Sequence, residues 1–316
     1  MPPESVFPDA KLWQYLAFGL RFASDFAIPE LLPTTGEITT SGAVDVRIIA
    51  GAIDTSQFGT RPSGSHFIIQ PEFFYFAVKD VARYLVTGGK RIVVEAEAAA
   101  KADAINTFLL GSCCGALLFQ RGLLPLHGSA IATGSGAVLI LGDSGAGKST
   151  LAASLNRQGF PLVSDDVCAI DASLAAPLIF PAYPQMKLTP QSADALGMAS
   201  DDFSAYEEKF HLRNPSFYPK PLPLTAIYLL EKSDSEEAVE RQLRGAEKFT
   251  LLRNNVYRDF YIPEMKLDAQ VFQQCAAISA HCAVFQLRRP AATPTFDILA
   301  GFIQQRFTPP ERPESK

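Results

Sequence analysis

Gly142-Asp143-Ser144-Gly145-Ala146-Gly147-Lys148-Ser149 fills every defined position of the pattern G-x-x-x-x-G-K-[ST]. These residue types suit the capture of phosphate. Glycines permit positive φ and close approach of the main chain, so the amides from Gly145 to Ser149 can turn inward on phosphate oxygens. The N-terminus of a following helix adds partial positive charge. Lys148 would reach the β- and γ-phosphates, and the Ser149 hydroxyl would complete a Mg²⁺ shell that keeps several waters. Thr150 is a second hydroxyl, one helical step round. The stretch therefore predicts ATP and Mg²⁺ as cofactors. The bland alternative, a glycine-rich turn that only joins a strand to a helix, does not require a match at every position.

A second cluster must decide what happens to the phosphate. Asp165 and Asp166 follow the apolar run Leu162-Val163, which places two carboxylates at a strand end beside the loop, where ligands of open α/β sheets gather. One can hold Mg²⁺, with Asp166 paired to Ser149 in this reading. The other can take the proton of an attacking hydroxyl. A capping or turn Asp-Asp is the alternative. His127 precedes the loop's strand. If residues 124–131 form a strand paired with 138–141, its ring approaches the same pocket, although a lone His is more often structural. The candidate catalytic set is thus Asp165, Asp166, His127 and Lys148. Arg253 and Arg258 could clamp phosphate or an acidic substrate group through their guanidinium forks, and a solvated helix face explains them equally well. His66, His211 and His281 show no metal-ligand spacing, so no zinc site is expected.

The elements that must position these residues fall into two patterns. Before residue 100 the chain reads as strands at 16–24, 44–50, 66–70, 73–78, 81–86 and 91–95, punctuated by Gly, Pro, Ser and Asp. Gly88-Gly89 marks a hairpin. Residues 98–120 have helical spacing with an interruption near Gly111, and Gly122 stands where a helix would stop. Beyond it strand and helix alternate: a strand at 137–141, a helix at 148–158, strands at 160–164, 225–230 and 283–287, and a closing helix near 296–305. The run 231–244, charged on both signs, reads as a solvated helix or loop. The expected domains are a β-rich unit over 1–100, an α/β unit over 101–310 and a loose tail over 311–316.

Composition bounds the function. The chain has 316 residues, 47% hydrophobic and 19% charged, which suits one large or two ordinary folded domains. A net charge of −5 and a pI near 5.5 give no global positive field, so nucleic acid is not an expected partner. Five cysteines without a C-x-x-C pair read as reduced thiols, which implies a cytoplasmic location. The N-terminus has no basic-then-apolar signal pattern. The longest apolar run, residues 109–119, is too short to cross a bilayer, which needs about 20 residues.

Residues 124–170 together resemble the catalytic domain of the HPr serine kinase/phosphorylase family. The features that carry the resemblance are His127-Gly128 before the first strand, the G-x-S-G-x-G-K-S loop, and Asp165-Asp166 behind the loop helix. Downstream, residues 183–188 and 223–228 look like the shorter HPr-kinase-like proteins, including kinases of lasso-peptide precursors. The resemblance implies an α/β P-loop kinase domain of the HPr kinase/PEP carboxykinase type, preceded by a smaller β-rich domain. It further implies that Lys148 and Ser149 bind phosphate and Mg²⁺, that His127 supports the acid-base group, and that Asp165 and Asp166 share base and metal duties. Adjacent side chains on a strand diverge, so the division of labour between the acids stays open. The glycine-rich second signature of the bifunctional enzymes is missing.

The expected activity is an ATP- and Mg²⁺-dependent kinase acting on a serine of a small protein or peptide. A regulatory NTPase or nucleotide-gated binding module is the other class. No N-K-x-D guanine-reading motif is found, which argues against a GTPase. The sequence leaves the oligomeric state open, a homo-oligomer included.

Overall fold

The computed structural model describes residues 12–34, 43–58, 67–198, 203–204, 208–213, 216–291 and 296–311. His66, expected to open a strand, and most of the C-terminal tail lie outside them. The chain is a mixed α/β protein that divides into two compact units. One holds residues 1–123 and 258–270, the other 124–257 and 271–316. The boundary thus follows the helix near 102–120 instead of preceding it at 100.

In the first unit, the described residues form a sheet in the order β3-β1-β2-β4-β8-β7-β6-β5. Its strands are β1 (Trp13–Ala17), β2 (Leu20–Ser24), β3 (Leu32–Pro33), β4 (Val46–Ala50), β5 (Phe67–Ile69), β6 (Phe73–Val78), β7 (Ala82–Thr87) and β8 (Arg91–Ala96). The strand expected at 16–24 is two strands, because Phe18 and Gly19 both take positive φ and turn the chain. A phenylalanine in that conformation carries no turn signal. Gly88 and Gly89 make the expected β7–β8 hairpin, again with positive φ.

Behind the sheet runs one helical stretch: α1 (Ala102–Phe108), a π turn at Leu109–Cys113 that accounts for the interruption near Gly111, and α2 (Cys114–Gln120). Gly122 ends it at φ 77°. The Tyr84 hydroxyl donates to Ile105 O, and Gln120 Oε1 accepts the Gly89 amide. The stretch is longer than the eleven-residue run seen in the sequence. At 19 residues it would suffice by length and composition to span a bilayer, but it is mostly buried within the protein.

The second unit carries the loop. Its strands are β9 (Leu124–Thr133), β10 (Gly136–Leu141), β11 (Leu162–Asp171), β12 (Leu178–Phe180), β13 (Gln185–Leu188), β14 (Phe203–Ser204), β15 (Lys209–Arg213), β16 (Leu222–Ser233), β17 (Val239–Gln242) and β18 (Ala283–Pro290). Its helices are α3 (Lys148–Arg157), α4 (Pro190–Ala195), α5 (Ala246–Asn254), the greater part of α7 (Asp268–His281) and α8 (Phe296–Gln304). The short α6 (Tyr261–Glu264) belongs to the first unit.

The main sheet runs β10-β9-β11-β12-β16-β18-β17, and β10 pairs β16 directly, so five of its strands close a ring. The sheet is mixed. β9 lies antiparallel between β10 and β11, while β10–β16 and β16–β18 are parallel. β13, β15 and β14 form a separate small sheet. Residues 231–244 also depart from expectation, completing β16 and forming β17. The apolar side of α3 buries Leu151, Ala152 and Leu155 against Ile131, Ile140, Leu188, Leu299 and Ile303. Each buried Leu contributes roughly 1.5–3 kcal/mol, which anchors the helix whose first turn carries the site.

Candidate active site

The loop leaves β10 at Gly142 and enters α3 at Lys148. Gly142, Gly145 and Gly147 take φ of 139°, 78° and 106°, values open to glycine and strained for other residues. At two of them sterics add to the requirement. A Cβ on Gly142 would stand 2.3 Å from Leu230 O on β16, and one on Gly147 would meet the Phe296 ring at 2.7 Å. Lys148, 7% exposed, folds back so that Nζ donates to Gly142 O at 2.7 Å and Asp143 O at 3.0 Å. Burial pulls its pKa down, partly offset by Asp165, Asp166 and Asp143.

Ser144, Gly145, Gly147, Lys148, Ser149 and Thr150 line a cavity of ≈ 510 Å³. The remaining expected loop residues support it from behind. Gly142 gives its amide to Asn255 Oδ1 (3.1 Å), and the Ala146 carbonyl accepts from Arg289 Nε (3.0 Å). The Asp143 carbonyl accepts the Ala146 amide (3.1 Å). The Thr150 hydroxyl donates to Ser192 Oγ at 2.8 Å, joining α3 to α4.

The acids are placed differently from expectation. They lie within β11, not at its end, because the strand continues past them to Asp171. Strand alternation would send adjacent side chains to opposite faces. Instead both Asp165 and Asp166 line the cavity. The register against β9 shifts between Leu162 and Ser164, and Asp166 takes φ 77°, which breaks the alternation. Aspartate is among the few non-glycine residues that enter this region readily. Opposite Asp166 is Gly128, where a Cβ would lie 2.6 Å from Ile140 O.

Asp165 is 4% exposed and fully engaged. Oδ1 accepts from Ser129 Oγ (2.5 Å) and Ser149 Oγ (2.8 Å), and Oδ2 from the Lys187 amide (2.9 Å). The loop serine is therefore joined to Asp165, whereas the sequence reading had paired it with Asp166. Asp166 faces His127 instead. His127 Nδ1 is 3.1 Å from the Asp166 carbonyl and 3.3 Å from its Oδ1, and Lys187 Nζ is 3.7 Å from Oδ2. Both neighbours of Nδ1 are acceptors, so Nδ1 carries a proton and Nε2 is the nitrogen left to exchange one. Burial pushes the Asp166 pKa up, but the His127 hydrogen bond and the charges of Lys187, His127 and Lys209 outweigh it and hold the carboxyl well below its ordinary range.

His127 is fixed by its backbone as well, since its amide donates to Asn255 O at 2.9 Å. Arg253 and Arg258, the expected clamp, are not among the cavity's lining residues. Arg253 lies in the last turn of α5 beside Cys275, and Arg258 belongs to the first unit, near Cys113. All five cysteines are free and buried.

No protein-family model matches the chain, and comparison with curated proteins finds no match. Among solved structures, it is similar to the Hpr(Ser) kinase/phosphatase from Coxiella burnetii at 13% identity and a TM-score of 0.33, over 57% of this chain and 94% of that one. A likeness of that degree adds nothing to the side-chain geometry.

Several residues of the site carried no local signal. Lys187 on β13, Lys209 on β15, Lys232 on β16 and Arg289 on β18 all line the cavity. With Lys148 they give five cations against two carboxylates, a local excess opposite in sign to the whole chain. Lys187 lies in a stretch noted for its resemblance, but nothing in its spacing marked the residue itself. Asn255, two positions from the arginine that was singled out, is the residue of that segment that touches the loop.

Proposed function

We propose that the protein is a Mg²⁺-dependent kinase that transfers the γ-phosphate of ATP to a serine hydroxyl of a small protein or peptide. The observation that carries this reading is that one cavity joins a glycine-rich anion loop, a Ser149–Asp165 oxygen pair and an Asp166–His127 proton pair. The residues suit both ligands. A Cβ on Gly145 would meet nothing within 4 Å, so the loop's main chain is open at that point, and five cations answer a polyphosphate. Ser149 Oγ and Asp165 Oδ1, 2.8 Å apart, are the hard oxygen donors Mg²⁺ prefers.

Mg²⁺, when bound, would neutralise charge building on the β- and γ-oxygens. The chain supplies the rest. Loop amides and Lys148 hold the phosphates in line with the acceptor. The Asp166–His127 pair takes the proton of the serine hydroxyl. As the new bond forms between the serine oxygen and the γ-phosphorus, the bond from phosphorus to the β–γ bridging oxygen breaks and ADP leaves. Fixing Nδ1 on Asp166 steadies the ring and the charge it gains.

The test is transfer from γ-labelled ATP with Mg²⁺ to serine-bearing peptides, including any encoded beside this chain, with free phosphate measured in parallel. Label on peptide, abolished in Lys148→Ala, supports the kinase. Free phosphate without labelled peptide would mark a regulatory NTPase instead.

A further inference from the structure

Four of the five cavity cations are lysines, and two of those have carboxylates to answer them: Asp165 and Asp166 act on Lys148, and Asp166 lies beside Lys187. Arg289 is different. It is 7% exposed, yet no carboxylate among the described residues pairs with it. Its Nε donates to Ala146 O and its Nη1 to Pro290 O, both at 3.0 Å and both neutral acceptors. The guanidinium lies over the Phe296 ring, 5.3 Å from the centroid. Its third nitrogen, Nη2, is turned to the loop, 3.7 Å from where a Cβ on Gly147 would sit.

A buried charge normally has a counter-ion, because neutral partners do not repay its lost hydration. Burial already draws the Arg289 pKa down from its ordinary value. Beside Gly147 the loop amides and Lys148 also suit an anion. We propose that Arg289 binds the polyphosphate directly, so that the loop-bound phosphate is the counter-ion this guanidinium lacks among the described residues. The assignment rests on the nucleotide reading and sharpens it. The ligand class is a diphosphate or longer chain, and a monophosphate, with one anionic group to share between Lys148 and Arg289, binds poorly.

Calorimetric titration of the full chain with Mg-ADP, magnesium pyrophosphate and AMP tests this without requiring turnover. Arg289→Gln keeps hydrogen-bond donors and loses the charge, whereas Arg289→Lys keeps the charge and loses the fork. The expected result is a loss of about tenfold or more for ADP and pyrophosphate in Arg289→Gln, a smaller loss in Arg289→Lys, and weak, unchanged AMP binding. In the unsubstituted protein, the Arg289 Nε–H resonance should shift on adding pyrophosphate, a readout independent of whether a variant folds. The proposal is overturned if that resonance stays put, if Gln binds both ligands as tightly as Arg, or if Gln outperforms Lys, which would make Arg289 only a brace for Ala146. If the unsubstituted chain binds neither ADP nor pyrophosphate, the nucleotide reading itself falls.

Discussion

Asn255 and Gly142 are joined across 113 positions of sequence by a 3.1 Å hydrogen bond from the glycine amide to Asn255 Oδ1. The Asn255 carbonyl takes the His127 amide at 2.9 Å, so one residue fixes both the entry of the loop and the strand that holds the histidine. Asn255→Ala removes only the first link and leaves the Gly142 amide short of an acceptor, at about 1–3 kcal/mol. ADP affinity measured by calorimetry should fall roughly five- to 150-fold, with Asn255→Asp recovering part of it. Unchanged affinity in the alanine variant would show that the loop holds its shape alone.

The two acids should be told apart by substitution with asparagine. In Asp165→Asn two hydroxyls and the Lys187 amide lose their ionised acceptor, and Ser129 and Ser149 must turn to accept from the new amide group, a penalty of roughly 1–3 kcal/mol. Its melting temperature should drop by several degrees. Asparagine enters the left-handed region as readily as aspartate, so Asp166→Asn should keep its fold, give up only the stability that the ionised carboxyl draws from His127 and Lys187, and lose transfer activity. Thermal melts beside a radiolabel assay decide it, and a stable Asp165→Asn protein would refute the hydrogen-bond account.

Acid should destabilise the protein through Asp166. Its carboxyl is held below the unfolded value near 3.8, so its contribution is complete above that value and is lost as pH falls through and below it. Urea denaturation of the wild type and Asp166→Asn at steps from pH 6 to pH 3 should show a stability gap that narrows below about pH 4. A gap of constant size would mean that the carboxyl is not stabilised by His127 and Lys187.

Gly147→Ala should weaken nucleotide binding with little change elsewhere. The new methyl meets the Phe296 ring at 2.7 Å at a backbone φ of 106°, a strain of about 1–3 kcal/mol. Relief by Phe296→Leu in the double variant would show that the ring is the obstacle, while no relief would assign the loss to the backbone alone.

Local chemistry made the glycine loop, α3 and the Gly88-Gly89 hairpin readable from sequence, since each depends on residues within a few positions, and the approach of His127 followed from pairing the neighbouring strands β9 and β10. Asp165 and Asp166 were readable as residues but not as geometry. Polar side chains in mid-strand imitate a strand end, and only the backbone shows that Asp166 breaks the alternation. Lys187, Lys209, Lys232 and Arg289 sit on separate strands, and only the tertiary pairing of those strands brings them to one cavity. Phe18 hid its turn because nothing about a phenylalanine announces positive φ.

The ring made by β10, β9, β11, β12 and β16 sets how the site can move. His127 and the acids stand where β9 and β11 pair with each other, so their amides should exchange slowly with deuterated solvent. The opposite wall, with Lys187, Thr189 and Lys209, belongs to a separate three-stranded sheet and α4, and its exposed edge should exchange faster. Breathing of the chamber would then occur on one side only, admitting an acceptor chain while the proton-handling side stays fixed.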